Sequence, residues 1–413
     1  MLSPLEAWAR IEARLDALDL TRFPAEVVPR DSALGRVLLD SVPATVDQPP
    51  ADVSAMDGFA LAGDIAADAV VPIVGASFAG RPREIVLAAG EAARITTGGL
   101  VPPGADRIVP VERTEPGPDD ATVRILLPPT AGAHIRRGGE IVRRGDALLT
   151  AGTRLEPAGL ALLAGHGVGD VRVVRSPRVA VLVTGDEIVP PDAEPGPGQL
   201  RDSNSTFLSA ACRSLGLRVE GLGVVGDDPT ELRRRLARGL EADVLLVSGG
   251  VSMGELDLVE PTLIDLGAEI LFERVAIQPG KPLTVAIVER PDAPPRWVLG
   301  LPGNPGSVLT TYWLYGRPLL RRLQGHADAF WAGALAARSR TELPATRDRD
   351  RFLTASLEVE DGTIHATPHL ARGSHDTVAQ ARGNALLRVA AGSNARPPGS
   401  PCEVLPIPGD PAV

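Results

Sequence analysis

The sequence predicts an α/β multidomain chain. A central, mostly parallel α/β sheet domain is joined by a β-rich inserted domain, an N-terminal helical linker region and a small C-terminal β domain. Three observations carry this. Strand and helix signals alternate across residues 178–324, as in a βαβ series. Short strand-like runs broken by Gly and Pro fill residues 45–145, and a strict apolar/polar alternation returns beyond residue 340. A length of 413 residues also exceeds the ~250–300 at which single cores stop growing.

The elements follow in order. Ser3, Pro4 and Glu6 form a capping-box start, and Leu5, Trp8, Ile11, Leu15 and Leu18 recur at helical spacing on one packing face. Strand-like runs at 70–74, 93–96 and 122–126 flank a turn cluster at 115–120. The unbroken apolar run 178–183 reads as a strand buried on both faces. After it come a helix over 205–215, a strand over 219–225, a helix over 229–240 and a strand over 243–247. A helix near 258–266, strands near 269–275, 283–288 and 297–301, and one long helix over 305–323 complete the series. In the last segment Leu353, Ala355, Leu357 and Val359 alternate with polar residues, and Asp361-Gly362 turns the chain into a returning strand at 363–366.

Composition narrows the function. Hydrophobic residues make up 44% and charged residues 23%, normal for a globular protein. Aromatics are only 3%, so the cores must be built from Ala, Val, Leu and Ile. A net charge of −10 disfavours a nucleic-acid partner, because that affinity comes largely from cations on phosphate. Glu6, Arg10, Glu12 and Arg14 interrupt any signal-peptide run, and no stretch of about 18 apolar residues exists, so no membrane association is expected. Cys212 and Cys402 are too few for a disulfide framework, which fits a cytoplasmic protein. The six histidines are scattered, with no partner set for a nucleophilic serine.

Parallel strands leave their C-terminal loops on one edge, where ligands bind. Three such loops stand out: Thr184-Gly185-Asp186-Glu187, Ser248-Gly249-Gly250-Val251-Ser252 and Leu301-Pro302-Gly303-Asn304-Pro305. Glycines let backbone amides approach an anion. The same edge carries Asp186, Glu187, Asp227 and Asp257, a set that suits phosphate bound through Mg²⁺; helix capping is the alternative role, and it weighs equally only for Asp227 before Pro229. Of the 42 basic residues a single one, Lys281, is lysine, and it lies in the turn Gln278-Pro279-Gly280-Lys281-Pro282. Its compact ammonium can meet phosphate or oxyanion where a planar guanidinium fits poorly. The loops around Asp57 and Thr97 read as turns on chemistry alone. The Arg136-Arg137 and Arg143-Arg144 clusters read as pairing with nearby acids.

Six motifs, in this order, resemble the MoeA family of molybdopterin molybdenumtransferases, related to the C-terminal domain of gephyrin. They are Ser54-Ala55-Met56-Asp57-Gly58-Phe59-Ala60, Thr97-Gly98, Thr184-Gly185-Asp186-Glu187, Ser248-Gly249-Gly250-Val251-Ser252, Pro279-Gly280-Lys281-Pro282 and Leu301-Pro302-Gly303-Asn304-Pro305. The match runs over nearly the whole chain. The resemblance implies insertion of molybdenum from molybdate into adenylylated molybdopterin, with release of AMP and help from Mg²⁺. It also implies a homodimer that works beside molybdopterin adenylyltransferase and other molybdenum cofactor biosynthesis proteins, with a cleft shared between subunits. Its sheet domain would be of the MoaB/Mog type over 178–325. The other segments would be 1–45 with 146–177, 46–145 inserted, and a barrel-like 335–413.

Carried over by motif, Asp57, Thr97, Glu187, Asp257 and Lys281 take catalytic roles, and Asp186, Glu187 and Asp257 place the metal. Thr184, Gly185, Asp186, Asp227, Ser248, Gly249, Gly250, Ser252, Pro302, Gly303, Asn304, Pro305 and Glu140 line the substrate. Glu140 departs from a frequent Asp, Gln278 from a basic residue, and Gly306 from a branched one. Two other readings stay open: the preceding adenylylation of molybdopterin, and a non-catalytic gephyrin-like scaffold.

Overall fold

A computed structural model of the chain describes residues 1–18, 25–81, 84–250, 258–291 and 293–407. Two compact units result, Val27–Arg172 and Met1–Glu26 with Val173–Val413.

The chain opens with α1 (Pro4–Asp16). The Ser3 side chain accepts the Glu6 N–H at 3.3 Å while the Glu6 carboxylate accepts the Ser3 N–H at 2.8 Å, the expected capping box. Trp8, Ile11 and Leu15 are buried, but Leu5 is exposed, against expectation. At ~100° per residue it falls about 90° from the mean direction of the other three, off the packed face.

Within Val27–Arg172, six strands form one sheet: β1 (Gly58–Leu61), β2 (Ala69–Ser77), β3 (Ala92–Ile95), β4 (Arg107–Pro110), β5 (Thr114–Pro116) and β6 (Thr122–Ile125). Their order is β4-β1-β3-β2-β6-β5. Phe59 and Leu61 enter one core and Ala60 and Ala62 another, as the period of two requires.

The second unit is built on β7 (Arg178–Thr184), α2 (Asn204–Arg213), β8 (Arg218–Val225), α3 (Pro229–Gly239), β9 (Val244–Ser248) and α4 (Val259–Asp265). β10 (Glu269–Arg274), β11 (Pro282–Arg290) and β12 (Ala293–Leu301) complete its sheet. The order is β8-β7-β9-β12-β11-β10. The pairs β8–β7, β7–β9 and β9–β12 are parallel, and the β10–β11–β12 edge is antiparallel. Val179, Val181, Val244, Leu246, Trp297 and Leu299 face a core that takes Trp8 and Ile11 of α1. Ala180, Leu182, Leu245, Val247 and Val298 face the opposite core, with Leu232 and Leu236 of α3. Burial on both faces is why these strands read as continuous apolar runs.

The long C-terminal helix of this domain is not uniform: α5 (Pro305–Thr311) passes through a π-helical stretch, Tyr312–Gly316, into α6 (Arg317–Leu323). The last segment closes a barrel from β13 (Leu335–Ser339), β14 (Asp350–Glu360), β15 (Thr363–Pro368), β16 (Ala385–Val389) and β17 (Pro401–Pro406), with β14 paired to both β15 and β16. A short helix α7 (Thr377–Ala381) precedes β16. Asp361 and Gly362 both have positive φ, the geometry of a two-residue hairpin turn. Leu353, Ala355 and Leu357 point inward, but Val359 is exposed because the hairpin tip runs past the core. Among the described residues no helix is long and apolar enough to cross a membrane.

Candidate functional site

The three loops meet at the edge where β7, β9 and β12 end. Gly249 holds them together. Its φ is +95°, a Cβ there would lie 2.4 Å from the Thr184 carbonyl oxygen, and its N–H donates to the Leu301 carbonyl at 3.1 Å. A Cβ on Gly303 would lie 3.8 Å from the Gly249 Cα. Thr184, Ser248–Gly250 and Pro302–Pro305 are therefore one constellation. Asn204, at the start of α2, braces it: its Nδ2 donates to Ser248 Oγ at 2.9 Å and to the Gly303 carbonyl at 2.7 Å, and Ser248 Oγ donates to the Pro302 carbonyl at 3.2 Å.

These groups border a cleft of about 760 Å³, lined among others by Thr184, Glu187, Asp202, Asn204, Ser248 and Asn304. The buried Thr184 Oγ has no hydrogen-bond partner among the described residues and lies beneath Gly249 and Gly250. Sequence reasoning missed Asp202 and Asn204, having begun the helix at Ser205. The run Asp202-Ser203-Asn204-Ser205 has the composition of a helix start, and Asp202 does cap, accepting the Ser205 N–H at 3.0 Å.

The carboxylates divide. Asp186 is exposed, and its Oδ1 accepts the Asp227 N–H at 2.9 Å, so these two expected residues do meet. Capping of α3 belongs to Asp228 rather than Asp227: Asp228 Oδ1 accepts from Thr230 N at 2.8 Å and Glu231 N at 3.2 Å. Glu187 is exposed, lines the cleft, and its carboxylate lies over Gly185. Val251, Ser252 and Asp257 lie outside the described residues. Among the described residues no group of three or more His, Cys, Asp or Glu could hold a metal ion. Asp186 and Glu187 alone suit Mg²⁺, which commonly takes one or two carboxylates with phosphate oxygens and water.

Lys281 lines a second cavity of about 350 Å³ with Ser307, Arg349, Arg351, Thr354 and Ser374. Lys281 and Arg351 form no ion pair or side-chain hydrogen bond with another described residue. Arg349 has only a 3.7 Å approach to Asp348. The intervening Asp350 is buried and engaged by Arg388 Nε at 2.7 Å and the Ala391 N–H at 2.9 Å. Lys281 is thus the sole cation of its turn, yet the barrel adds two more. The basic run Arg347-Asp348-Arg349-Asp350-Arg351 is the signal that could have found them, with Arg349 just before β14 and Arg351 within it.

The 302–305 loop stands between the two spaces: Asn304 lines both, Pro302 the second and Pro305 the first. Gly306 has a packing reason. A Cβ there would lie 2.4 Å from Gln380 Nε2 and 2.9 Å from the Ser374 carbonyl oxygen, which already accepts the Gly306 N–H at 2.7 Å.

In Val27–Arg172, Asp57 and Thr97 are brought together: Asp57 Oδ1 accepts the Thr97 N–H at 2.7 Å, and the Gly98 N–H donates to the Ser54 carbonyl at 2.8 Å. Both side chains are exposed. Glu140 accepts the Arg137 N–H at 2.8 Å and so fixes its own turn. Arg137 pairs with Asp52. The Gly138 N–H and then Arg137 hold the Asp52 carboxyl below its usual range against partial burial.

Residues 2–167 match the MoeA N-terminal region (domain I and II), 180–322 a probable molybdopterin binding domain, and 336–407 the MoeA C-terminal region (domain IV). A molybdopterin molybdenumtransferase of Nostoc sp. is 37% identical over 93% of this chain and 89% of its own. One of Haemophilus influenzae is 34% identical over 76% of this chain and 77% of its own. The crystal structure of a molybdopterin biosynthesis MoeA protein from Pyrococcus horikoshii superposes with a TM-score of 0.79 at 30% identity, covering 97% of this chain and 99% of that one. By motif order, domain content and fold, the chain belongs to the MoeA family.

Proposed function

We propose that this protein is a molybdopterin molybdenumtransferase, which inserts molybdenum from molybdate into adenylylated molybdopterin and releases AMP. The supporting observation is the pair of spaces on either side of the 302–305 loop. One is a cleft lined by carboxylates with hydroxyl and amide side chains; the other is a pocket lined by three cations and by no carboxylate among the described residues. The first suits a phosphoanhydride and the second a tetrahedral dianion.

In this reading Thr184, Gly185, Ser248–Gly250, Ser252 and Pro302–Pro305 seat the adenylylated end. Asp186 and Glu187, with Asp257, hold Mg²⁺, which when bound supplies positive charge to phosphate oxygens. Asp227 fixes Asp186 through its N–H. Lys281, Arg349 and Arg351 hold the oxyanion and offset charge as AMP departs. The dithiolene sulfurs that receive molybdenum belong to the substrate. Asp57, Thr97 and Glu140 act from the loops of their own unit. The chain acts in the cytoplasm as a homodimer, receiving its substrate from molybdopterin adenylyltransferase. Presence of the sheet-edge acids supports catalysis over a scaffold role, and the Lys281 pocket supports insertion over adenylylation.

The test is AMP release from adenylylated molybdopterin with Mg²⁺, with and without molybdate. Release that requires molybdate and falls at least about 100-fold in Glu187→Ala or Lys281→Ala, the scale of losing one charge-stabilising group, is expected. Tight substrate binding without release would move the scaffold reading forward.

A further inference from the structure

His369 stands between two spaces of the second unit. It lines the pocket of about 350 Å³ that contains Lys281, and it also lines an outer cavity of about 620 Å³ beside α7. The residue directly follows β15, and its N–H donates to the Thr354 carbonyl of β14 at 2.8 Å. Its backbone is thereby fixed to the barrel.

The ring is oriented by Ser356, which shares a face of β14 with Thr354. The Ser356 hydroxyl has one hydrogen and donates it to the Arg382 carbonyl at 3.0 Å, so at 2.7 Å it accepts from His369 Nε2–H. Nδ1 is then the atom that gains or loses a proton. It has no hydrogen-bond partner among the described residues, and it is not sealed from solvent. Of the described residues lining the Lys281 pocket, only His369 is of a type that changes charge between pH 5 and 8. The other basic groups there, Lys281, Arg349 and Arg351, are of types that titrate above that range. On the outer side the charged or titratable groups are Arg372, His375, Asp376 and Arg382. The Asp376 carboxylate is already engaged by the Arg372 and Ala379 N–H groups, each at 3.1 Å.

Moving molybdenum from molybdate to a dithiolene consumes protons. The two sulfurs supply the electron pairs of two new Mo–S bonds, and the metal keeps its oxidation state. A departing oxide leaves with the electrons of its Mo–O bond and takes up two protons to become water. We propose that His369 is the catalytic acid for this step. Its imidazolium gives the Nδ1 proton to an oxide of the anion beside Lys281, and water in the outer cavity reprotonates the neutral ring for the second transfer. Ser356 is a positioning residue that keeps Nδ1 free. The inference rests on the proposed molybdenumtransferase reading.

The test follows molybdenum bound to the pterin product, made by the full chain from adenylylated molybdopterin and molybdate, from about pH 5.5 to about pH 8.5. Molybdate affinity is measured beside it by calorimetry. The wild-type rate is expected to fall as pH rises through the ordinary histidine range, about 6.5, because only the imidazolium can donate. His369→Gln is expected to lose about 100-fold in rate at the acid end, to lose that limb of the profile, and to bind molybdate as the wild type does. Free imidazole, entering by the outer cavity, is expected to restore part of the rate to His369→Ala; a merely structural defect would not respond. Ser356→Ala is expected to lose rate but keep the limb. A His369→Gln rate within about twofold of wild type at every pH, or one that keeps the limb, overturns the proposal and leaves the transferase reading standing. Loss of rate with a matching loss of molybdate affinity and no imidazole rescue also overturns it. A wild-type chain that inserts no molybdenum overturns the transferase reading and this inference with it.

Discussion

At the scale of single residues, Gly249 joins the three loops of the sheet edge. Positive φ and a carbonyl oxygen 2.4 Å from where a Cβ would stand leave no room for another residue. Gly303 is different: a Cβ there would make only ordinary contact, at 3.8 Å. Gly249→Ala is therefore expected to cost at least about 2 kcal/mol, the range of a forced backbone conformation, and Gly303→Ala well under 1 kcal/mol. Urea unfolding at pH 7 separates them, and equal losses would contradict this placement. Motif reading found Gly249, because local spacing records a tight turn after a strand. It missed Asn204, Arg349 and Arg351, whose importance lies in neighbours distant in the chain: Asn204 reaches Gly303, and Arg351 shares a cavity with Lys281.

At the scale of elements, Asp243 ties the starts of three strands at the opposite end of the sheet from the cleft. It precedes β9, accepts the Arg178 N–H of β7 at 2.8 Å, and pairs with Arg175 at 3.0 Å and with Arg296 of β12 at 2.8 Å. Burial pushes its carboxyl up, but the Arg175 and Arg178 hydrogen bonds and the charges of Arg175 and Arg296 outweigh it, so it stays below the usual range. A carboxyl lowered in the folded state adds stability that is fully present above its unfolded value, ~3.9, and is lost as pH falls through the folded value. Asp243→Asn should cost about 2 kcal/mol at pH 7 by leaving the half-buried Arg175 and Arg296 without their buried carboxylate. The gap should narrow only below about pH 4. Denaturant melts of both proteins at pH 7 and pH 3 test this; a gap that widens in acid would contradict it. Element types were largely legible, because capping box, apolar runs and hairpin turn are local patterns. The π-helical stretch was passed over, although Gly316 and Pro318 mark it: Pro318 has no N–H to donate back to the preceding turn.

At the scale of the whole molecule, the family's domain content is present from residue 2 to residue 407. The proposed homodimer predicts a solution mass about twice 43.1 kDa by light scattering; a mass near that of one chain at micromolar concentration would contradict it. Exposed Leu5 and Val359 show why composition alone could not assign every apolar residue to a core: one sits at the flank of its helix, the other at a hairpin tip beyond the barrel. The central claim is that AMP departure and metal insertion are one event at the sheet edge. The most direct measurement is to quantify, in a single reaction, the AMP released and the molybdenum bound to the pterin product. The account predicts equal amounts, both lost in Glu187→Ala. AMP released without molybdenum in the product would contradict it.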